Sequence, residues 1–208
     1  MDGAVDEGRF SITPIGPGDA PALIALMERD GGSCFCRYWH FTGTNKEWEA
    51  RCGLDAKSNE AELRVAVAER RDDGRGLVAR IPGEPERVVG WMKLAPRRTL
   101  TKLLARVPYR GLDDATTPLA DTPADTLAIA CFVVDPTLRR RGIARALVEG
   151  AIRLAPSWGA SFVEAYPRVS EQPLHDGEAW MGPHRLFAEL GFEIARESPQ
   201  YPVLRRRL

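Results

Sequence analysis

Apolar residues recur along this chain with two periods. The clearest pattern runs from Leu127 to Ala155. Leu127 to Val134 is an unbroken apolar run closed by Asp135-Pro136, too short to span a bilayer and of the length of a strand buried on both faces. Beyond it Ile143, Leu147, Ala151 and Leu154 follow at helical spacing, so they share one face that packs back on a sheet. Upstream, Phe10–Ile15 reads as a first strand. Asp19–Arg29 reads as a helix with Asp19 as N-cap and Ala22, Leu23, Leu26 and Met27 inward. Thr44-Asn45-Lys46-Glu47 has the form of a capping box, which predicts a helix to Leu54. A second helix is predicted from near Ser58 to Arg70. Strands follow at Leu77–Ile81 and Arg87–Ala95 about the turn Pro82 to Pro85. Arg97–Gly111 suggests a short basic helix, and Leu112–Asp125 a long polar loop, read either as a segment that closes over a substrate or as an ordinary surface insertion. Ser161–Tyr166 is the next strand. A helix with Pro183 at its first position then runs to Leu190, Gly191 caps it, and Phe192–Arg196 and Tyr201–Arg207 are the last strands. Strands alternating with helices predict an α/β fold.

Totals narrow the function. At 208 residues the chain suits one domain, expected over 10–208 after a disordered tail at 1–9. Basic and acidic residues balance at 29 each, so no global charge draws nucleic acid or an anionic membrane. No signal peptide or long apolar span is visible, which points to the cytoplasm and to reduced thiols.

The turn between the apolar strand and its helix carries the chemistry. Arg139-Arg140-Arg141-Gly142-Ile143-Ala144 places cationic and small residues where a helix start leaves its N–H groups unpaired, a setting for an anion. VVDPTLRRRGIARAL resembles the acyl-CoA signature of the GNAT superfamily of N-acetyltransferases, with Arg139, Gly142 and Ala144 at its matched positions. HRLFAELGF resembles the end of that family's last helix. The resemblance implies a mixed, strongly twisted sheet with helices on both faces, and direct acetyl transfer from acetyl-CoA to an amine. It implies that Phe132, Val133 and Val134 hold the pantetheine arm. Arg139, Arg140, Arg141, Gly142, Ile143, Ala144 and Arg145 would then surround the pyrophosphate. The acceptor would be a small-molecule or peptide amine, and a homodimer stays open. No metal is expected.

For catalysis, Glu164 is the first choice as base, on the neighbouring strand amid apolar residues that would raise its pKa. Tyr166 on the same face is the proposed acid. His184 and His175 are alternatives. In the family a tyrosine commonly protonates the departing thiolate; Phe187 stands at that position, where its ring is expected to face the thiol, and Trp180 stands where an asparagine often contacts CoA. These departures keep a second reading open, a CoA-binding module or sensor with little turnover. Gly31–Phe41 packs two cysteines, a histidine and four aromatics together. It reads as an aromatic loop over the core, as a wall of the acceptor site, or, with Cys52, as a metal site using Cys34, Cys36 and His40, although Cys-x-Cys is not the usual zinc spacing. Trp91 after Gly90 reads as core.

Overall fold

The computed structural model describes residues 9–112, 126–175 and 178–208. Residues 1–8 of the expected tail and most of the polar loop expected at 112–125 lie outside them. The elements are β1 (Ser11–Pro14), α1 (Ala20–Arg29), α2 (Asn45–Leu54), α3 (Ala56–Ala68), β2 (Gly76–Arg80), β3 (Val88–Pro96), α4 (Thr101–Ala105), β4 (Thr126–Val134), α5 (Ile143–Leu154), β5 (Phe162–Ala165), α6 (His184–Glu189), β6 (Glu193–Arg196) and β7 (Val203–Arg207). The strands form one mixed sheet in the order β1-β2-β3-β4-β5-β7-β6, in which β4 and β5 are parallel and the other neighbours antiparallel.

Both faces are covered, because alternate residues of β2 and β3 are apolar on both sides. Leu77, Ala79, Val89 and Met92 meet α5 through Ile143, Leu147, Val148 and Ala151. Val78, Val88 and Trp91 meet α1 and α3 through Leu23, Met27, Leu63 and Val67. Trp91 is therefore core. The close approach of α5 explains Gly90: a Cβ there would lie 2.4 Å from Ile143 Cγ2. Full burial of a side chain such as Leu147 contributes about 2 kcal/mol.

Three expectations shift. The basic segment 97–111 is not one helix but a five-residue α4 between 3-10 turns, since Pro108 cannot supply a helical N–H. Pro183 is the N-cap of α6 rather than its first residue. Asp19 precedes α1 without capping it; its carboxylate accepts from Gly16 N–H at 2.7 Å and pairs with Arg80 at 2.6 Å. The capping box at Thr44 is formed as expected.

Candidate active site

The site is built on β4, which pairs with β3 along its whole length but with β5 only over 126–129. At the parting point the register with β3 slips: Cys131 faces Lys93 and Ile129 faces Leu94, so Ala130 is a bulge. From Ala130 to Val134 one edge of β4 has no strand beside it. Buried backbone polar groups require partners, and two are supplied by tryptophans. Trp39 Nε1 donates to Ala130 O at 2.8 Å, and Phe132 N–H donates to Trp180 O at 2.8 Å.

This open edge is one wall of a cleft of about 1490 Å³. Cys131, Phe132, Val133 and Val134 line the wall, and Arg139, Arg140, Gly142, Ile143, Ala144 and Arg145 line its far end. Thus nine of the ten residues expected to hold CoA line one cavity. Arg141 does not; it is exposed and points outside the lining.

The turn is held rigidly. Asp135, buried at the strand end, accepts from the Thr137 amide and hydroxyl and pairs with Arg29 and Arg87. Burial, the largest single influence, would raise its carboxyl, but the Thr137 hydrogen bonds and the two arginines together hold it down to about 2. Arg140 and Gly142 take left-handed backbone, with φ of 61° and 88°. Only at Gly142 is that conformation free of a Cβ penalty. Ala146 N–H makes the first α-helical bond to Gly142 O, so the amides of Ile143, Ala144 and Arg145 have no acceptor within α5 and face the cleft end. The arginine side chains are partly committed: Arg139 pairs with Asp30 at 2.6 Å, and Arg145 pairs with Glu189.

The near end of the cleft is aromatic. Tyr38, Trp39, Trp48 and Trp180 line it together with Cys34 and Cys36. Tyr38 packs on Trp39, Trp48 and Trp180 with ring centroids 4.8, 5.5 and 6.2 Å apart. A smaller cavity of about 270 Å³ adjoins it through Trp39, Arg168 and Trp180, and reaches Tyr109, Tyr166 and Tyr201. Of the four aromatics of the 31–41 segment, Tyr38 and Trp39 line the cleft and Phe35 and Phe41 do not; Trp48 joins them from α2.

The catalytic pair expected from the sequence lies elsewhere. Glu164 is fully buried and lines neither cavity. Two guanidinium groups stand where apolar neighbours were expected: Arg97 Nη1 donates to both carboxylate oxygens at 3.1 and 3.3 Å, and Arg205 Nε donates at 2.9 Å. Tyr166, which lines only the smaller cavity, donates its phenol to Glu164 at 2.6 Å. Phe187 corrects another expectation. It is fully buried in the main core against Phe132 and Phe192, outside the cleft lining. Matched spacing gave its place on the helix but not the rotation of α6, which turns Leu186, not Phe187, to the cleft.

Of the histidines, His184 lines the cleft and His175 is exposed. His40 turns Nδ1 toward Thr99 O at 3.0 Å, and burial, with Lys93 and Arg37 nearby, pushes its imidazole down to about 3. Among the described residues no group of three or more His, Cys, Asp or Glu is placed to hold a metal ion. Cys36 instead approaches Cys131. Sequence reasoning missed the hydrogen bonds of Trp39 and Trp180 to β4, because nothing local to either residue marks that tertiary contact.

Comparison with known proteins agrees with this geometry. Residues 38–192 match the model of the acetyltransferase (GNAT) family. The PaiA N-acetyltransferase from Thermoplasma acidophilum, solved with coenzyme A, superposes with a TM-score of 0.52 at 11% identity, covering 96% of this chain and 99% of its own. The yncA protein from Salmonella typhimurium, solved with acetyl-CoA, gives 0.52 at 15% identity, covering 96% and 94%. The polyamine N-acetyltransferase of Drosophila melanogaster gives 0.57 at 13% identity, covering 96% and 100%. At these identities the likeness is one of fold. A search of curated proteins returns no match. The family model spans well over half of the chain and includes the open edge of β4 and the turn into α5, so this protein belongs to the acetyltransferase (GNAT) family.

Proposed function

We propose that the protein transfers an acetyl group from acetyl-CoA directly to the amine of an acceptor. One observation carries this reading: the open backbone edge of β4 runs straight into the unpaired amides that begin α5, along one cleft. The edge offers the hydrogen bonds of a strand to the amide groups of a pantetheine arm, and the helix start offers N–H groups and a positive dipole end to a pyrophosphate. Phe132, Val133 and Val134 are the arm-binding residues in this reading. Gly142, Ile143, Ala144 and Arg145 are the phosphate-binding ones through their backbone, with Arg139 and Arg140 beside them. Arg141 contributes through the turn alone.

The thioester then lies toward Ala130 and Cys131, where Tyr38, Trp39 and Trp180 form the acceptor side. Most of the rate comes from holding amine and thioester in line in a water-poor aromatic pocket. Tyr38 is the one phenol among the described lining residues of the main cleft, and it is placed here as the proton donor to the departing thiolate. Glu164 and Tyr166, bound to each other and to Arg97, act as structure. A cytoplasmic setting fits this reading.

Isothermal titration with acetyl-CoA, followed by a thiol-release assay over an amine panel, tests the proposal. The panel spans aromatic amines, peptide N termini, and agmatine with the polyamines. The last group is included because the Drosophila enzyme of this fold forms N-acetylagmatine. Saturable binding with thiol release on at least one amine is the expected result. Absence of acetyl-CoA binding would overturn the proposal, and binding without release across the panel would favour a sensor.

A further inference from the structure

Three cysteines line the main cleft, Cys34, Cys36 and Cys131. Two of them touch: Cys36 Sγ and Cys131 Sγ are unbonded and 2.8 Å apart, 95 residues apart in the chain. That is about 0.8 Å beyond the length of a disulfide bond. The loop works to bring them together. Phe35 and Cys36 both take left-handed backbone, with φ of 44° and 51°, a costly arrangement for two consecutive side chains of this size. Two anchors directly after it hold it. Arg37, itself buried, pairs with Asp73 at 2.7 Å and Glu62 at 3.2 Å, and Trp39 is hydrogen-bonded to Ala130.

We propose that Cys36 and Cys131 form a redox modification site, in which a peroxide converts the two thiols to a disulfide that bolts the 33–41 loop to β4 beside the acetyl-transfer point. Both residues line the cleft, which is the side from which a small oxidant would approach. Either sulfur can attack first with the other resolving, and the atoms balance in the same way from Cys131. Cys131 sulfur displaces hydroxide from the O–O bond of hydrogen peroxide, leaving a sulfenic acid and, with the thiol proton, one water. Cys36 sulfur then displaces the sulfenic hydroxyl, which leaves with the Cys36 proton as a second water. The two sulfurs are oxidised and the peroxide is reduced, with no further reactant.

The loop carries Tyr38 and Trp39, so the crosslink would immobilise the acceptor wall. The formation of the bond rests on the thiol geometry alone; its meaning for turnover rests on the acetyltransferase reading. The test therefore needs no turnover. Full-length protein is reduced, desalted, exposed to stoichiometric hydrogen peroxide and mapped by peptide mass spectrometry without reductant. The expected product joins the peptides of Cys36 and Cys131, is reversed by dithiothreitol, and is absent from Cys36→Ser and from Cys131→Ser. Oxidised protein should melt about 5 °C or more above reduced protein, with amide exchange slowed over residues 33–41. If Cys131→Ser does not fold, Cys36→Ser in the loop decides alone. A Cys34–Cys36 or Cys34–Cys52 link, or sulfinic acids without a crosslink, would overturn the site; a crosslink without the Tm rise or the slowed exchange would overturn the bolt. A parallel acetyl-CoA titration of reduced protein shows separately whether the acetyltransferase reading stands.

Discussion

Replacing Lys93 by methionine should stabilise this protein at neutral pH and lose that advantage in alkali. Lys93 sits in the middle of the sheet with no exposed surface, its Nζ donating to Asp73 O at 2.7 Å. Burial, with Arg37 acting in the same direction, pushes its ammonium from 10.5 to about 8. At about 1.4 kcal/mol per unit, the charged form carries a penalty of roughly 3 kcal/mol in the folded state. The sign follows from proton counts. Between about 8 and 10.5 the unfolded chain holds the Lys93 proton and the folded one has released it, so stability rises with pH in that window. Below the window the penalty is present in full, and above it the penalty is gone. Methionine removes the charge and forfeits one hydrogen bond, a loss of about 1 kcal/mol. Asp73 O keeps its bond from Arg37 Nη1 at 3.0 Å. The variant should therefore gain about 2 kcal/mol at pH 7, and the gain should shrink by up to about 1.4 kcal/mol per pH unit through the window. Cys34, raised by hydrogen bonding and burial, slopes the other way in both proteins and cancels in the difference; Cys36 is raised too but is held lower by Lys93, so losing that charge raises it further and its slope adds to the shrinking of the gain in alkali. Urea unfolding of the two proteins at about pH 7, 8.5 and 10 measures it. A variant less stable at pH 7, or a difference that does not move with pH, would refute the reasoning.

Gly142→Glu should weaken acetyl-CoA binding about 100-fold or more by calorimetry, since it puts a carboxylate and a strained left-handed side chain at the phosphate end; retained affinity would remove the basis of the proposed donor. Arg139→Ala should weaken binding by only about 1 kcal/mol, because Arg139 already pairs with Asp30. Tyr38→Phe should leave acetyl-CoA affinity within about twofold and lower thiol release about 10²-fold if the phenol is the acid; unchanged release would hand the proton to water. Glu164→Gln should cost about 3 kcal/mol or more and lower Tm by about 6 °C or more, since it strips Arg97 and Arg205 of a buried carboxylate; a small change would mean the pair contributes little.

What the sequence made legible was whatever repeats locally. The apolar run of β4, the spacing of Ile143, Leu147 and Ala151, and the Thr44 capping box each fix an element from neighbours within a turn or two. The proposed phosphate end could be placed for the same reason, since strand, turn and helix start are contiguous and line one cleft. The aromatic end of the cleft is assembled from segments far apart in the chain, and there local reasoning reaches less far. Alternation placed Glu164 on the same face as Tyr166 but could not show Arg97 or Arg205 arriving from other strands. Spacing from Gly191 fixed Phe187 on α6 without its rotation. The two cysteines in contact come from a loop and a strand whose meeting no period announces.

Glu164 gains its meaning from where the sheet divides. Below the bulge at Ala130, β4 and β5 are zipped over 126–129, and the buried carboxylate draws in Arg97 from the end of β3 and Arg205 from β7. Such a network is satisfied only if those three strand ends keep their places. One register further on, the zip stops and β4 runs on without a neighbour on that side. A bare edge inside a protein is unstable unless something pairs with it, and the tryptophans answer only Ala130 O and Phe132 N–H. An extended ligand bearing amides is the chemistry that completes the remainder. It would compete with Trp180 for Phe132 N–H, which links occupancy of the donor site to the position of a ring on the acceptor side. In the proposed reading, the carboxylate that looked like a base serves from below, by holding apart the strands whose gap would receive the donor.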